Sequence, residues 1–117
     1  MERSACINIL ETYFEGLINN EVESIPFHDE VTYLGPMLTT SLEGKERVYE
    51  FLVDVAAAFE NVQYHIVRDI IDGDHVCSVV KLRLSEGQIL DMCNIFEISN
   101  GKIKSVQAYY DPRPMLQ

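Results

Sequence analysis

Two stretches of the chain place apolar residues at helical spacing. Residues 5–20 form one apolar stripe, and residues 45–59 form a second, with charged side chains on the opposite face. Both stretches predict amphipathic helices. Between them, residues 27–34 predict a first strand that Gly35 ends, and the chain is expected to be loop as far as Leu42.

From residue 62 onward the apolar residues follow a period of two, which is typical of strands. The pattern predicts strands at residues 62–71, 75–84, 88–98 and 102–110, joined by turns that contain glycine or asparagine. A twisted antiparallel meander with two helices covering one face is an α+β architecture. A chain of 117 residues fits one hydrophobic core, so we expect a single domain over residues 1–117.

One face of the strand at residues 88–98 is apolar except for a single amide. The residues of this face are Leu90, Met92, Asn94, Phe96 and Ile98. A buried amide without hydrogen-bond partners destabilises a protein substantially. We therefore expect the Asn94 amide to have a partner.

The loop at residues 85–87 determines which residues of the two flanking strands face each other. A two-residue turn would bring the cations Lys81 and Arg83 to the core face, at a large desolvation cost. A three-residue loop with its glycine in the left-handed conformation instead pairs apolar side chains with apolar ones. We therefore predict the longer loop, with the cross-strand pairs Leu82–Leu90, Val80–Met92 and Ser78–Asn94.

The charge of the chain narrows the range of partners. Its formal net charge is −10, and its basic residues are scattered among acidic ones. Such a surface repels phosphate backbones, so nucleic-acid binding is not expected. No apolar run approaches the roughly 20 residues that span a bilayer, and the N-terminal residues do not resemble a signal peptide. We expect no membrane partner and a cytoplasmic location.

The cysteines and histidines lack the spacing of a metal site. Cys6, Cys77 and Cys93 are odd in number and lie far apart within apolar patterns, which is typical of reduced thiols in a core. The three histidines show no ligand pairing such as i, i+4 on a helix. We expect neither a metal nor a cofactor.

Nearly the whole chain, from Leu10 to Tyr110, resembles the NTF2-like superfamily, and within it the SnoaL-like and ketosteroid-isomerase-like branch. The resemblance implies a cone-shaped, cystatin-like fold, in which a curved antiparallel sheet wraps around N-terminal helices and encloses an apolar pocket. The fold hosts isomerases, dehydratases, cyclases, epoxide hydrolases and binding modules. The residues that carry the resemblance are Tyr13, Asn19-Asn20-Glu21, Phe27 to Thr32, Gly44, Asn94-Ile95-Phe96, Gly101-Lys102-Ile103 and Gln107 to Tyr110.

The isomerases of this branch combine an aspartate base with two hydrogen-bond donors to the developing oxyanion, a tyrosine and a protonated aspartic acid. Residue by residue, the matching implies Tyr13 as the oxyanion tyrosine and places Asn94 at the position of the protonated acid. An asparagine amide is a permanent neutral donor, so both oxyanion donors can be present. The base falls on Gly35, which cannot accept a proton.

These assignments predict a pocket for a small hydrophobic, carbonyl-bearing ligand, without catalysis. The alternative is an isomerase-, cyclase- or dehydratase-type enzyme with Tyr13 and Asn94 as oxyanion donors and a non-standard base, for which Asp111 and His28 are the candidates. Epoxide hydrolysis is not expected, because the acid of that branch corresponds to Ala108.

The predicted pocket draws on several strands and on both helices. The alternation along residues 102–110 leaves the inward phase of that strand open, and the family matching implies that Val106, Ala108 and Tyr110 face inward. The predicted lining residues are Tyr13, Tyr33, Gly35, Leu52, Ser78, Met92, Asn94, Val106, Ala108 and Tyr110.

The outer face of the sheet is expected to pair two subunits into a homodimer. It carries the apolar residues Val79, Cys93 and Ile95, which a monomer would leave in water.

Overall fold

The computed structural model describes residues 3–115 and contains two α-helices and six strands. The helices are α1 (Arg3–Ile18) and α2 (Lys45–Ala58), and short 3-10 helices lie at Val22–Ser24 and Arg113–Met115. The strands are β1 (Phe27–Leu34), β2 (Leu42–Glu43), β3 (Gln63–Asp72), β4 (His75–Arg83), β5 (Ile89–Ser99) and β6 (Lys102–Tyr110). Among the described residues, no helix is long and apolar enough to cross a membrane.

The six strands form one sheet in the order β2-β1-β6-β5-β4-β3. The meander β3 to β6 is antiparallel, as its short turns require, whereas β1 pairs with β6 in parallel. The predicted α+β class and curved sheet are confirmed, and the parallel pair makes the sheet mixed.

Irregular pairing at two places in the meander bends the sheet. The register shifts between Ile66 and Arg68 of β3, and again between Glu97 and Ile98 of β5. Such bulges increase the local twist of a strand. The helices pack against one face of this bent sheet, which we call the inner face.

Aromatic side chains join α1 to the inner face. The ring of Tyr13 lies 5.1 Å from the ring of Phe96 on β5, in an edge-to-face arrangement, and Phe14 stacks on Tyr64 of β3 at 5.6 Å. Tyr13, Phe14 and Phe96 are all buried. This cluster fixes the position of α1, and therefore of Tyr13, over the middle of the sheet.

The register predicted for β4 and β5 is confirmed at all three positions, with Leu82 opposite Leu90, Val80 opposite Met92 and Ser78 opposite Asn94. The loop between these strands is closed by hydrogen bonds between Leu84 and Gln88 and between Gly87 and Leu84, both 2.8 Å long. Gly87 has φ +88°, the left-handed conformation that glycine adopts without strain.

The inward phase that the family matching implied for β6 also agrees with the structure. Val106 and Ala108 are buried on the inner face, and Tyr110 is half-buried. On the opposite face, Tyr109 is 55% exposed.

Two features differ from the sequence predictions. The stretch expected to be loop contains β2, whose residues Leu42 and Glu43 pair with Tyr33 and Thr32; a two-residue strand is too short to show a period. Of the cysteines expected in the core, only Cys6 is buried, whereas Cys77 and Cys93 are half-buried on the outer face.

Candidate functional site

Two tyrosine hydroxyls meet beneath α1. The hydroxyl of Tyr13 lies 3.1 Å from the hydroxyl of Tyr33 on β1, and both residues are buried. In such a pair one hydroxyl proton forms the shared hydrogen bond, and the other proton remains free to donate. The pair therefore offers one free donor inside an apolar environment.

Burial changes the acidity of both hydroxyls. It raises the pKa of Tyr33 to about 12, although the hydrogen bond with Tyr13 acts in the opposite direction. Burial, together with the neighbouring Tyr33, raises the pKa of Tyr13 well above its ordinary value. Both groups are therefore neutral donors at physiological pH.

The raised pKa values predict a loss of stability in alkali. Below about pH 10 tyrosines are neutral in both states, but above it the unfolded tyrosines ionise first. The unfolded state then binds fewer protons, so the free energy of unfolding falls by about 1.4 kcal/mol per pH unit for each such residue. For Tyr33 the fall continues up to its folded pKa of about 12. Urea denaturation at a series of pH values between about 10 and 12 measures this fall in the free energy of unfolding. In Tyr33→Phe the slope should be smaller by one tyrosine's contribution, and an unchanged slope would contradict the assignment.

A small cavity adjoins the hydroxyl pair. It has a volume of about 20 Å³, and four residues of the predicted pocket line it, namely Tyr13, Tyr33, Met92 and Tyr110. The remaining walls come mainly from apolar residues of α1 and α2. A space of this size holds roughly one water molecule and no larger ligand.

A larger open groove lies where β1 ends and β6 continues. Its volume is about 540 Å³, and it is lined by Gly35, Ala108 and Tyr110 of the predicted pocket, by the apolar Leu34, Pro36 and Leu38, and by Gln107 and Tyr109 of β6. Tyr110 lines both the groove and the small cavity. The residues of the predicted pocket that line a space are thus divided between the small cavity and the groove, with Tyr110 common to both.

Asn94 lies on the inner face of β5, between Met92, which lines the small cavity, and Phe96, which contacts Tyr13. It is only 1% exposed, and neither its Nδ2 nor its Oδ1 atom has a hydrogen-bond partner among the described residues. No hydrogen bond joins it to Tyr13. The partner that the sequence required for this amide is therefore absent from the described part of the chain.

Asn94 belongs to a row of polar side chains across the inner face. Asp69 of β3 is directly opposite Ser78 of β4, Ser78 is opposite Asn94, and Asn94 is opposite Ala108 of β6. The fully buried Ser78 hydroxyl donates a hydrogen bond to Oδ1 of Asp69. The row ends at Ala108, whose side chain lines the groove.

Asp69 is the residue of this row that sequence reasoning missed. An unbroken period of two along β3 would place Asp69 on the same face as Val67, which is 46% exposed. The irregular pairing between Ile66 and Arg68 reverses the phase, so Asp69 points inward and Ile70 is 53% exposed. The adjacent residues Val67 and Arg68 are both exposed, which marks the reversal in the structure.

The remaining predicted pocket residues take no direct part in either space. Leu52 and Val106 are buried in the core, and Ser78 and Asn94 are enclosed in the polar row. None of these four lines the cavity or the groove in the described part of the chain.

Asp111 is held by a neighbouring arginine. The carboxylate accepts hydrogen bonds from the backbone N–H and the guanidinium of Arg113, at distances of 2.6–3.0 Å. These bonds lower the pKa of Asp111 to about 2. A carboxylate of this kind is a weak proton acceptor at neutral pH.

His28 lies near the start of β1, far from the hydroxyl pair. Tyr33 follows it by five residues, which is about 16 Å along a strand. Its Nδ1 atom accepts a hydrogen bond of 3.1 Å from the backbone N–H of Glu30, so the neutral ring carries its proton on Nε2. The fold does not bring His28 to the cavity or the groove.

Within residues 3–115, no group of three or more histidine, cysteine, aspartate or glutamate side chains could hold a metal ion. The described site consists of neutral donors, one inward carboxylate and apolar walls.

A family model described as a domain of unknown function, DUF4904, matches residues 1–117. The chain belongs to the DUF4904 family. A search of curated proteins finds no match.

Solved structures resemble this DUF4904 protein at low sequence identity. An NTF2-like protein of unknown function from Cytophaga hutchinsonii ATCC 33406 is 20% identical with a TM-score of 0.73, over 93% of this chain and 92% of that chain. A protein with a ketosteroid isomerase-like fold from Catenulispora acidiphila DSM 44928 is 20% identical with a TM-score of 0.72, over 88% and 85% of the two chains. A SnoaL-like protein from Jannaschia sp. CCS1 is 12% identical with a TM-score of 0.78, over 99% and 94%.

These likenesses establish the fold of the DUF4904 protein as NTF2-like, as the resemblance of its sequence predicted. At such identities they carry no information on ligand or activity. Function has to be argued from the site.

Proposed function

We propose that the protein binds a small apolar molecule that carries a carbonyl group, and that it does not transform it. The observation that carries this proposal is the buried Asn94 amide without a hydrogen-bond partner. An unsatisfied buried amide costs about 1–3 kcal/mol. A ligand carbonyl that accepts a hydrogen bond from Nδ2 would remove much of this cost. The free energy recovered in this way would add to the affinity for the ligand.

The groove supplies a place for the apolar part of the ligand. Its volume of about 540 Å³ is within the usual range for ligand sites, and its walls are mainly apolar. Ala108 lies across the sheet from Asn94 and also lines the groove. Asn94 does not line the groove itself, so the ligand carbonyl has to pass the Ala108 side chain to reach Nδ2. On the other side, Tyr110 separates the groove from the free donor of the Tyr13–Tyr33 pair.

A pair of ligands that differ only in the acceptor tests the proposal. Methyl naphthyl ketone has the carbonyl, and isopropylnaphthalene has nearly the same size with a methyl group in place of the oxygen. We expect the protein to prefer the ketone by about 1–3 kcal/mol, or roughly 5- to 150-fold in Kd, because only the ketone pairs with the amide. In Asn94→Leu the preference for the ketone should disappear, while isopropylnaphthalene still binds. Fluorescence titration measures the affinity of each protein for each of the two ligands.

Tyrosine variants provide the matched control. Tyr13→Phe should weaken the ketone preference, whereas Tyr64→Phe, at a half-buried position outside the lining of both spaces, should leave it unchanged. Equal affinities of the wild-type protein for the two ligands would refute the carbonyl-binding proposal.

A second candidate function is an isomerase-, cyclase- or dehydratase-type reaction on the same class of ligand, with Tyr13 and Asn94 as oxyanion donors. One observation favours it: the carboxylate of Asp69 lies on the inner face in the same row as Asn94. A general base has to come within about 3 Å of the proton that it removes. Asp69 meets this condition only for a ligand that extends along the polar row.

Deuterium uptake distinguishes the enzyme from the binder. If Asp69 acts as a base, the methyl protons of bound methyl naphthyl ketone should exchange with D₂O, as followed by NMR. Asp69→Asn retains an acceptor for Ser78 and should slow this exchange by about 10²- to 10⁴-fold. No exchange above the buffer rate in the wild-type protein would leave binding alone as the function.

We also propose that the outer face of the sheet pairs two subunits. Val79, Cys93 and Ile95 are half-buried there, and Tyr109 on the same face is 55% exposed. Covering such apolar surface is favourable. Sedimentation at micromolar protein concentration should show a dimer that Ile95→Lys dissociates, and a wild-type monomer would contradict the proposal.

A further inference from the structure

The thiols of Cys77 and Cys93 meet on the outer face of the sheet. Their Sγ atoms are 2.9 Å apart, and both cysteines are free. The sulfur atoms of a disulfide are about 2.05 Å apart, so less than about 1 Å of approach separates this pair from a covalent bond. The proposed binding site on the inner face does not involve this contact.

The sheet itself holds the two thiols together. Cys77 on β4 is opposite Ile95, and Cys93 on β5 is opposite Val79, so the cysteines occupy diagonal positions in one register. That register is fixed independently by the apolar pairs on the inner face, Leu82–Leu90 and Val80–Met92. The folded chain therefore presents the thiols to each other at a higher effective concentration than the unfolded chain does.

We propose that, in the monomer, whose outer face is uncovered, Cys77 and Cys93 form a redox-active dithiol that low-molecular-weight disulfides convert to an intramolecular disulfide. One cysteine thiolate attacks a glutathione disulfide and expels one glutathione thiolate. The second cysteine then attacks the mixed disulfide and expels the other. The protein loses two electrons and two protons, and one glutathione disulfide becomes two molecules of glutathione. Excess glutathione reverses both steps.

The positions of the cysteines make this bond reversible. Cys77 and Cys93 are half-buried on the outer face of the sheet. Disulfides that are exposed to solvent are the ones that glutathione reduces readily. The pair is therefore suited to switching between two states rather than to permanent cross-linking.

A glutathione titration tests the proposal. Burial and the contact with Cys93 raise the pKa of Cys77 to about 11, so exchange at neutral pH is slow and equilibrium has to be reached from both the reduced and the oxidised protein. Free thiols are then blocked with N-ethylmaleimide in denaturant and counted by intact mass. We expect the loss of two thiols out of three, a Cys77–Cys93 cross-linked peptide, and the same result in Cys6→Ser.

The same titration in urea separates native geometry from mere tethering by the chain. We expect the equilibrium constant for the disulfide to be at least about ten-fold larger under native conditions. Cys77→Ser and Cys93→Ser should each abolish the intramolecular bond. The proposal is overturned by an equal or smaller constant in the native protein, by a bond that involves Cys6, or by bonds that form only between chains.

Discussion

Asn94→Leu is expected to stabilise the unliganded protein by about 1–3 kcal/mol. Leucine has the same branched shape as asparagine, with two methyl groups in place of the amide oxygen and nitrogen, and needs no hydrogen bond. The neighbours of Asn94 on the inner face of β5 are the apolar Met92 and Phe96, and Ala108 lies across from it. The substitution therefore removes an unpaired amide without opening a cavity. Urea denaturation measures the gain as a higher midpoint with an unchanged m-value.

The stability of this variant also tests the proposed binding role. A residue that lowers stability while improving ligand affinity is typical of functional sites, where activity is retained at the expense of the fold. Ser78→Ala is the matched control, because the Ser78 hydroxyl already donates to Asp69 and its loss should destabilise the protein. If Asn94→Leu also loses stability, then the amide is paired in solution and the argument for a ligand fails.

The sequence predicted those parts of the site that depend on the cost of burying polar groups. The register of β4 and β5 followed from the cost of turning Lys81 and Arg83 inward, and it placed Ser78 opposite Asn94. The isolated polar position of Asn94 followed from the apolar pattern of β5. Both predictions rest on local alternation, which a regular antiparallel pair preserves.

Other parts of the site depend on contacts that alternation does not encode. The irregular pairing in β3 reverses the phase and brings Asp69 inward, so counting by two assigns it to the wrong face. The contact between Cys77 and Cys93 depends on a diagonal relation between strands. The division of the predicted lining residues between a cavity and a groove depends on how the ends of β1 and β6 pack beside the helices, which no local pattern specifies.

Phe96→Ala is expected to cost about 3–5 kcal/mol, which is the usual range for a fully buried phenylalanine. Phe96 is 0% exposed, and its ring contacts two residues of α1 edge to face, Tyr13 at 5.1 Å and Phe14 at 6.2 Å. Its removal leaves a cavity between the helix and the sheet. Since domains of this size have a total stability of about 5–15 kcal/mol, the variant should be close to unfolding. Urea denaturation measures the loss.

Ile89→Ala provides the comparison on the same strand, because Ile89 is 51% exposed and its truncation should cost less than about 1 kcal/mol. Phe96→Leu keeps most of the apolar volume and should lose much less than Phe96→Ala, while still removing the edge-to-face contacts that position Tyr13. If the ring of Phe96 orients Tyr13, then Phe96→Leu should reduce the preference for methyl naphthyl ketone even though the protein remains folded. A loss below about 1.5 kcal/mol in Phe96→Ala would mean that α1 does not pack on β5 as described.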